Sequence, residues 1–132
     1  MMTVLVVADD APAAVLRGWV ERGPHFRMIS HAPDPDLALA RARVLLPDIT
    51  LIDTAPALRD SARHLFHEVR ALHPPSAVIW HAYDTQLHDE RLRAVLEEGA
   101  VHAVRKGDHA ELARALAAIG RRRASCDPDL AH

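Results

Sequence analysis

The chain is poor in the features that staple or anchor special classes of protein. Its 132 residues include one cysteine, Cys126, so no intrachain disulfide can form and a reducing compartment fits. No apolar run approaches the roughly 20 residues that a bilayer-spanning helix needs. No basic stretch precedes an apolar region at the N-terminus, as a secretory leader would require. The sequence therefore predicts a cytoplasmic protein without a membrane partner. Excess positive charge is also missing: the net charge is -2, whereas a domain whose main task is holding nucleic acid is usually basic. What remains is ordinary globular material, 49% hydrophobic and 26% charged. The length suits one domain that buries roughly two-thirds of its unfolded surface.

Apolar segments of two kinds alternate along this chain. Thr3 to Ala8 (TVLVVA), Ile49 to Asp53 within PDITLIDTAP, and Ala77 to His81 (AVIWH) are short, continuous apolar runs. Such runs, bounded by turn residues, read as strands buried on both faces. Phe26 to Ala32 alternates more loosely and suits a strand near a sheet edge, and Val101 to Val104 gives a short fifth strand. Between them the spacing predicts helices. Ala13 to Val20 would bury Val15, Leu16, Trp19 and Val20 and stop near Gly23. Asp34-Pro35 would open a second helix with Leu37, Ala40, Val44 and Leu45 as its buried stripe. Ala62 to Leu72 would bury Leu65, Phe66, Val69 and Leu72 before Pro74-Pro75. Thr85 would cap a helix carrying Leu87, Leu92, Val95 and Leu96 to Gly99. Asp108 would cap the last helix, which presents Leu112, Leu116 and Ile119 and ends near Gly120 and Arg121 to Arg123. Residues 1–120 then form the domain, and 121–132 a tail or the start of a linker.

Strict strand–helix alternation implies an α/β fold, a doubly wound five-stranded parallel sheet with helices on both faces. With strand order 2-1-3-4-5, a ligand crevice opens beyond the carboxyl ends of the first and third strands. Those strands end in Asp9, Asp10 and Asp53. Converging carboxylates repel one another unless they take up protons or share a cation, and a hard oxygen site with few protein ligands suits Mg²⁺. A carboxylate beside such an ion can act as nucleophile toward a phosphoryl group. Lys106, at the end of the fifth strand, could neutralise the phosphoryl oxygens.

The pieces VLVVADD, PDITLIDTAP and EGAVHAVRKGD, with Lys106 seven residues after Gly99, resemble the receiver domain of bacterial two-component response regulators. The resemblance runs to about residue 120, and the ending RKGDHAELARALAAI is most similar to receivers that precede a helix-turn-helix output domain. It implies Asp53 as phosphoacceptor, Asp9, Asp10 and Asp53 as Mg²⁺ ligands, and Lys106 as the phosphoryl contact. It also implies a sensor histidine kinase as partner, a role in transcription regulation, and contact with DNA only through an output domain. A homodimer would form through the fourth helix, fifth strand and last helix, a face including Leu87, Arg91, Arg105 and Glu111.

Several positions depart from the family pattern. His81 stands where a Thr or Ser switch residue is usual, before Ala82. Ala103 stands where the fifth strand usually carries Tyr or Phe. After Asp53, Pro56 comes one residue early and the usual Asp-Gly pair reads Asp60-Ser61, which bears on whether Ala55 offers its carbonyl to a metal. Two readings follow: a phosphorylatable receiver whose output is coupled differently, or an atypical receiver that serves as a phosphorylation-independent dimerisation or protein-binding module.

Other classes fit less well. A dinucleotide enzyme would show G-x-G-x-x-G after the first strand, where ADDAPAA stands. A phosphatase built on a nucleophilic aspartate would want a second acid at the position of Ala55, so no turnover enzyme is expected. The 10 histidines include His64 and His67 on one helical face and His81 and His88 about one loop, but no Cys or carboxylate spacing completes a zinc set. His81 is the exception by position, since a protonated imidazole there could pair with the acidic cluster.

Overall fold

The computed structural model describes residues 1–53, 59–83 and 101–126. Strands β1 (Met2–Val7), β2 (Phe26–Ala32), β3 (Ile49–Asp53), β4 (Ala77–Ala82) and β5 (Val101–Arg105) form one sheet in the order β2-β1-β3-β4-β5. All neighbouring pairs are parallel, as the strand–helix alternation predicts. The described helices are α1 (Asp10–Val20), α2 (Pro35–Leu45), α3 (Arg59–Arg70) and α4 (His109–Cys126). The helix predicted from Thr85 to Gly99 lies outside the described residues, as do Ala55, Pro56 and His88.

The central strands are apolar throughout because each has two faces to bury. Val4, Val6, Leu51 and Ile79 pack with Ala13, Leu16 and Val20 of α1 and Leu112, Leu116 and Ile119 of α4. Leu5, Val7, Ile52, Val78 and Trp80 pack on the opposite face with Ala38, Leu39 and Ala42 of α2 and Leu65, Phe66 and Val69 of α3. The period-2 alternation of each strand thus divides its side chains between two helical layers.

Edge strand β2 breaks that alternation. Its register on β1 runs Val4↔Met28 and then Leu5↔Ser30, so Ile29 is passed over. An extra residue in one strand reverses which face the following side chains occupy. Met28 consequently packs in the α1/α4 layer, whereas Ala32 packs in the α2/α3 layer.

Side-chain caps fix where the elements begin. Asp34 Oδ1 accepts the Leu37 N–H at 2.8 Å, with Pro35 at the first helical position. Asp108 Oδ1 accepts the Glu111 N–H at 2.9 Å and starts α4. Asp48 joins two strand starts: its Oδ2 accepts the Thr3 N–H at 2.8 Å and the Thr3 hydroxyl at 3.2 Å. Its own N–H donates to Thr3 Oγ1 at 3.1 Å.

Several sequence expectations are corrected. In α1, Val15 is 51% exposed, and the helix begins at Asp10 rather than Ala13. In α2 the predicted stripe faces outward: Ala40 is exposed, and Leu37, Val44 and Leu45 are 37%, 81% and 42% exposed. Ala38, Leu39 and Ala42 are buried instead. Two sets of apolar residues shared the helical period, and the alanine-rich set lets the helix axis approach the sheet and α3 most closely. Helix α3 starts and ends earlier than its apolar stripe suggests, although Leu65, Phe66 and Val69 are buried as expected and Leu72 packs against them. Helix α4 continues through Gly120 to Cys126, because an isolated glycine lowers helix propensity without ending the hydrogen-bond ladder.

Candidate functional site

The parallel register of β3 and β4 pairs Asp53 with His81 and Leu51 with Ile79. Leu51 and Ile79 belong to the α1/α4 layer, so strand alternation turns Asp53 and His81 toward that same layer. Both are nearly withdrawn from solvent, at 8% and 6% exposure. Val104 is the register partner of His81 on β5. Two residues further on, Lys106 is held against the end of β4 by its N–H, which donates to the Ala82 carbonyl at 2.9 Å.

This geometry brings three side chains to one atom. Lys106 Nζ lies 2.8 Å from Asp53 Oδ1, and His81 Nδ1 lies 3.2 Å from the same oxygen. Burial by itself raises the pKa of Asp53. Hydrogen bonds from His81 and Lys106, with the charge of Lys106 and of a protonated His81, outweigh that effect and hold the carboxyl below the usual carboxylate range. Asp53 is therefore ionised at neutral pH. Among the described residues its second oxygen, Oδ2, makes no hydrogen bond or ion pair.

Lys106 is the single lysine of the chain, and that rarity was a signal for its role that the sequence reading did not use. Gly107 follows with φ of +87°, a conformation open to glycine and strained for other residues. The turn it makes passes the chain from Lys106 to the Asp108 cap of α4. Sequence reasoning also missed Tyr83, whose ring centroid lies 4.3 Å from Lys106 Nζ. The ammonium is thus placed between a carboxylate and an aromatic face.

The acidic pair is arranged differently. Asp9 and Asp10 are exposed at the start of α1, and Asp10 Oδ1 is 2.8 Å from His31 Nε2 on β2. Among the described residues, no three His, Cys, Asp or Glu side chains stand close enough together to hold a metal ion. Asp10 is thus engaged by His31 at the edge of the sheet, and Ala55, whose carbonyl the family pattern would offer to a metal, lies outside the described residues. The face expected to mediate dimerisation is described in part: the Arg105 N–H donates to Glu111 Oε1 at 3.3 Å, while Leu87 and Arg91 lie outside the described residues.

At the position expected to carry an aromatic switch, Ala103 pairs in register with Trp80. Trp80 is 3% exposed and packs in the α2/α3 layer. The aromatic bulk on this part of the sheet stands one strand inward from where the family pattern puts it, and there it is a core side chain.

No family model matches the chain. Over 104 residues it is 30% identical to a protein-glutamate methylesterase/protein-glutamine glutaminase 2 of Oleidesulfovibrio alaskensis, a match covering 78% of this chain and 29% of that protein. The chain thus spans less than a third of the length of the curated relative it matches. Among solved structures, it superposes on the signal receiver domain of a modulated diguanylate cyclase from Desulfovibrio desulfuricans with a TM-score of 0.76. That match is 20% identical and covers 96% of this chain and 99% of the other. A LuxR-family two-component response regulator from Aurantimonas gives 0.70 at 25% identity, over 90% and 84% of the two chains. The pseudo-receiver domain of the CikA protein gives 0.60 at 21% identity, over 96% and 98%. In strand order and architecture, the chain has the fold of response-regulator receiver domains.

Proposed function

We propose that this domain accepts a phosphoryl group on Asp53 and passes the change to a partner through its protein surface. The observation that carries the reading is the 2.8 Å pairing of the buried Asp53 carboxylate with Lys106, the only lysine in the chain. Two donors fix Oδ1, which leaves Oδ2 to attack. In the reaction Oδ2 forms a bond to phosphorus as the bond from phosphorus to the donor's leaving group breaks, and the leaving group departs with the electron pair. Lys106 then lies within reach of the equatorial phosphoryl oxygens and stabilises their charge. The donor in the cell is a sensor histidine kinase. The surface of β5 and α4 serves dimerisation or an output domain, and DNA is met only through such a domain. The domain itself turns over no substrate.

Asp9, Asp10 and Asp53 are the residues that would hold Mg²⁺, which would neutralise phosphoryl charge, and no step is assigned to it. The test is incubation with a small acyl phosphate, with Mg²⁺ or with a chelator, followed by intact mass. One added phosphoryl group is expected on the native protein and none on Asp53→Asn. Equal labelling of the two proteins would overturn the proposal, and the chelator arm measures how far a cation contributes.

His81 and Ala103 at the two switch positions favour a second reading. In it the domain is a binding module whose Asp53 carboxylate stays paired with Lys106 and His81. It is distinguished by absent labelling together with partner binding that Asp53→Asn leaves unchanged.

A further inference from the structure

The two positions through which the resemblance expects a receiver to report its state are altered here, yet the pocket has another neighbour. Trp19, in the last turn of α1, sits edge-on to His81 with ring centroids 6.1 Å apart and planes at 77°. The same indole lies over His109, the first residue of α4, at 3.6 Å and 36°. His109 follows Lys106 by three positions. The contacts therefore close a circuit: Asp53 to His81, His81 to Trp19, Trp19 to His109, and back along the chain through Asp108 and Gly107 to Lys106 and Asp53.

We propose that Trp19 is the positioning residue that couples the Asp53 pocket to the start of α4. The inference deepens the phosphoacceptor reading by naming how a change at Asp53 leaves the site. His81 is 6% exposed, so its imidazole has no open space into which to turn. A change in what Asp53 Oδ1 offers to Nδ1 shifts the ring, and the edge-to-face contact passes that shift to the indole, because close-packed side chains move in concert. Trp19 is only partly buried and packs on the α1/α4 layer, where it can adjust without opening the core. Its stacked partner His109 belongs to the first turn of α4, which runs on to Cys126. The signal thus runs along the α1/α4 face, opposite the α2/α3 layer that holds Trp80.

The test uses the whole chain and needs no phosphodonor. Asp53→Asn alters the pocket directly, and the NMR signals of the Trp19 indole and His109 imidazole are compared with those of the native protein. Both are expected to shift. In a Trp19→Leu background the His109 shift caused by Asp53→Asn is expected to be lost, and in a Trp19→Phe background to return. In a His81→Ala background the Trp19 shift is expected to be lost. A His109 signal that ignores Asp53→Asn, or that shifts equally with Leu at position 19, overturns the proposal. The second result would mean that the change reaches His109 along the chain from Lys106 or through the carboxylate's field, and not through Trp19. If Trp19→Leu does not fold, the His81→Ala pair and His109→Ala, in which the indole must still respond to Asp53→Asn, decide the matter. Labelling with acyl phosphate on the same proteins is a separate readout. Its failure would overturn the phosphoacceptor reading while the shifts judge the coupling.

Discussion

Asp53 and His81 are register partners at the ends of β3 and β4, and the imidazole Nδ1 stands 3.2 Å from the carboxylate oxygen that also receives Lys106 at 2.8 Å. One oxygen is thus held by two donors from two strand ends. The charge of Asp53 is balanced by the chain's own side chains. The consequences can be measured.

Replacing Lys106 by Met removes a hydrogen bond and a charge from Asp53 while its burial remains. The Asp53 pKa should rise, as followed by carbon NMR of the carboxyl group. Since the native folded pKa lies below the ordinary aspartate value of 3.8, Asp53 contributes stability that is present above that pH and lost as pH falls through the folded value. Lys106→Met should bring the folded pKa back toward the ordinary value, so this contribution shrinks. Phosphoryl uptake from an acyl phosphate should slow by about a hundredfold or more, the range seen when one preorganised donor is removed from a charge-stabilising site.

Asp48→Ala should lower stability by about 1–3 kcal/mol in denaturant unfolding, because it leaves the Thr3 N–H and hydroxyl without their shared acceptor. These groups tie the starts of β1 and β3, at the opposite end of β3 from Asp53. Labelling at Asp53 should be unchanged.

Gly107→Ala tests the turn that presents Lys106. A Cβ there meets no atom within 4 Å, so the substitution acts through its φ of +87° alone. The expected cost is about 1–2 kcal/mol, with slower labelling because Lys106 is displaced. A variant with native stability and native labelling would show that the turn does not position the lysine.

His102 on β5 has its pKa held below the ordinary histidine value, first by burial and then by the charge of Arg122. The folded state therefore favours the neutral ring. Its contribution to stability is present above about pH 6.5, the unfolded value, and is lost as pH falls from there through the folded pKa. Thermal unfolding of His102→Gln should depend less on pH in that window than unfolding of the native chain.

Much of this architecture was legible in the sequence because its signals are local. Continuous apolar runs gave the five strands, Asp34 and Asp108 marked helix starts, and alternation of element types implied the parallel order. Helix α2 shows where local signals end. Leu37, Val44 and Leu45 satisfy the helical period as well as Ala38, Leu39 and Ala42 do, and only docking against β1, β2 and α3 selected the smaller set. The reversal of facing in β2 is similar, since strict alternation would leave Ala32 with Met28 and the skipped Ile29 sends it to the other layer.

The site divides in the same way. The sequence by itself placed Asp53, His81 and Lys106 at the carboxyl ends of their strands, because strand length and chain direction are written locally. Tertiary structure alone decided which groups share an atom. The β3–β4 register brought His81 to Asp53, the turn at Gly107 brought Lys106 to the same oxygen, and β2 set His31 beside Asp10. Packing of α1 against α4 set Trp19 between His81 and His109. Contacts between residues far apart in the chain depend on register and helix docking, which are settled by burial of the whole core and by no short stretch of sequence.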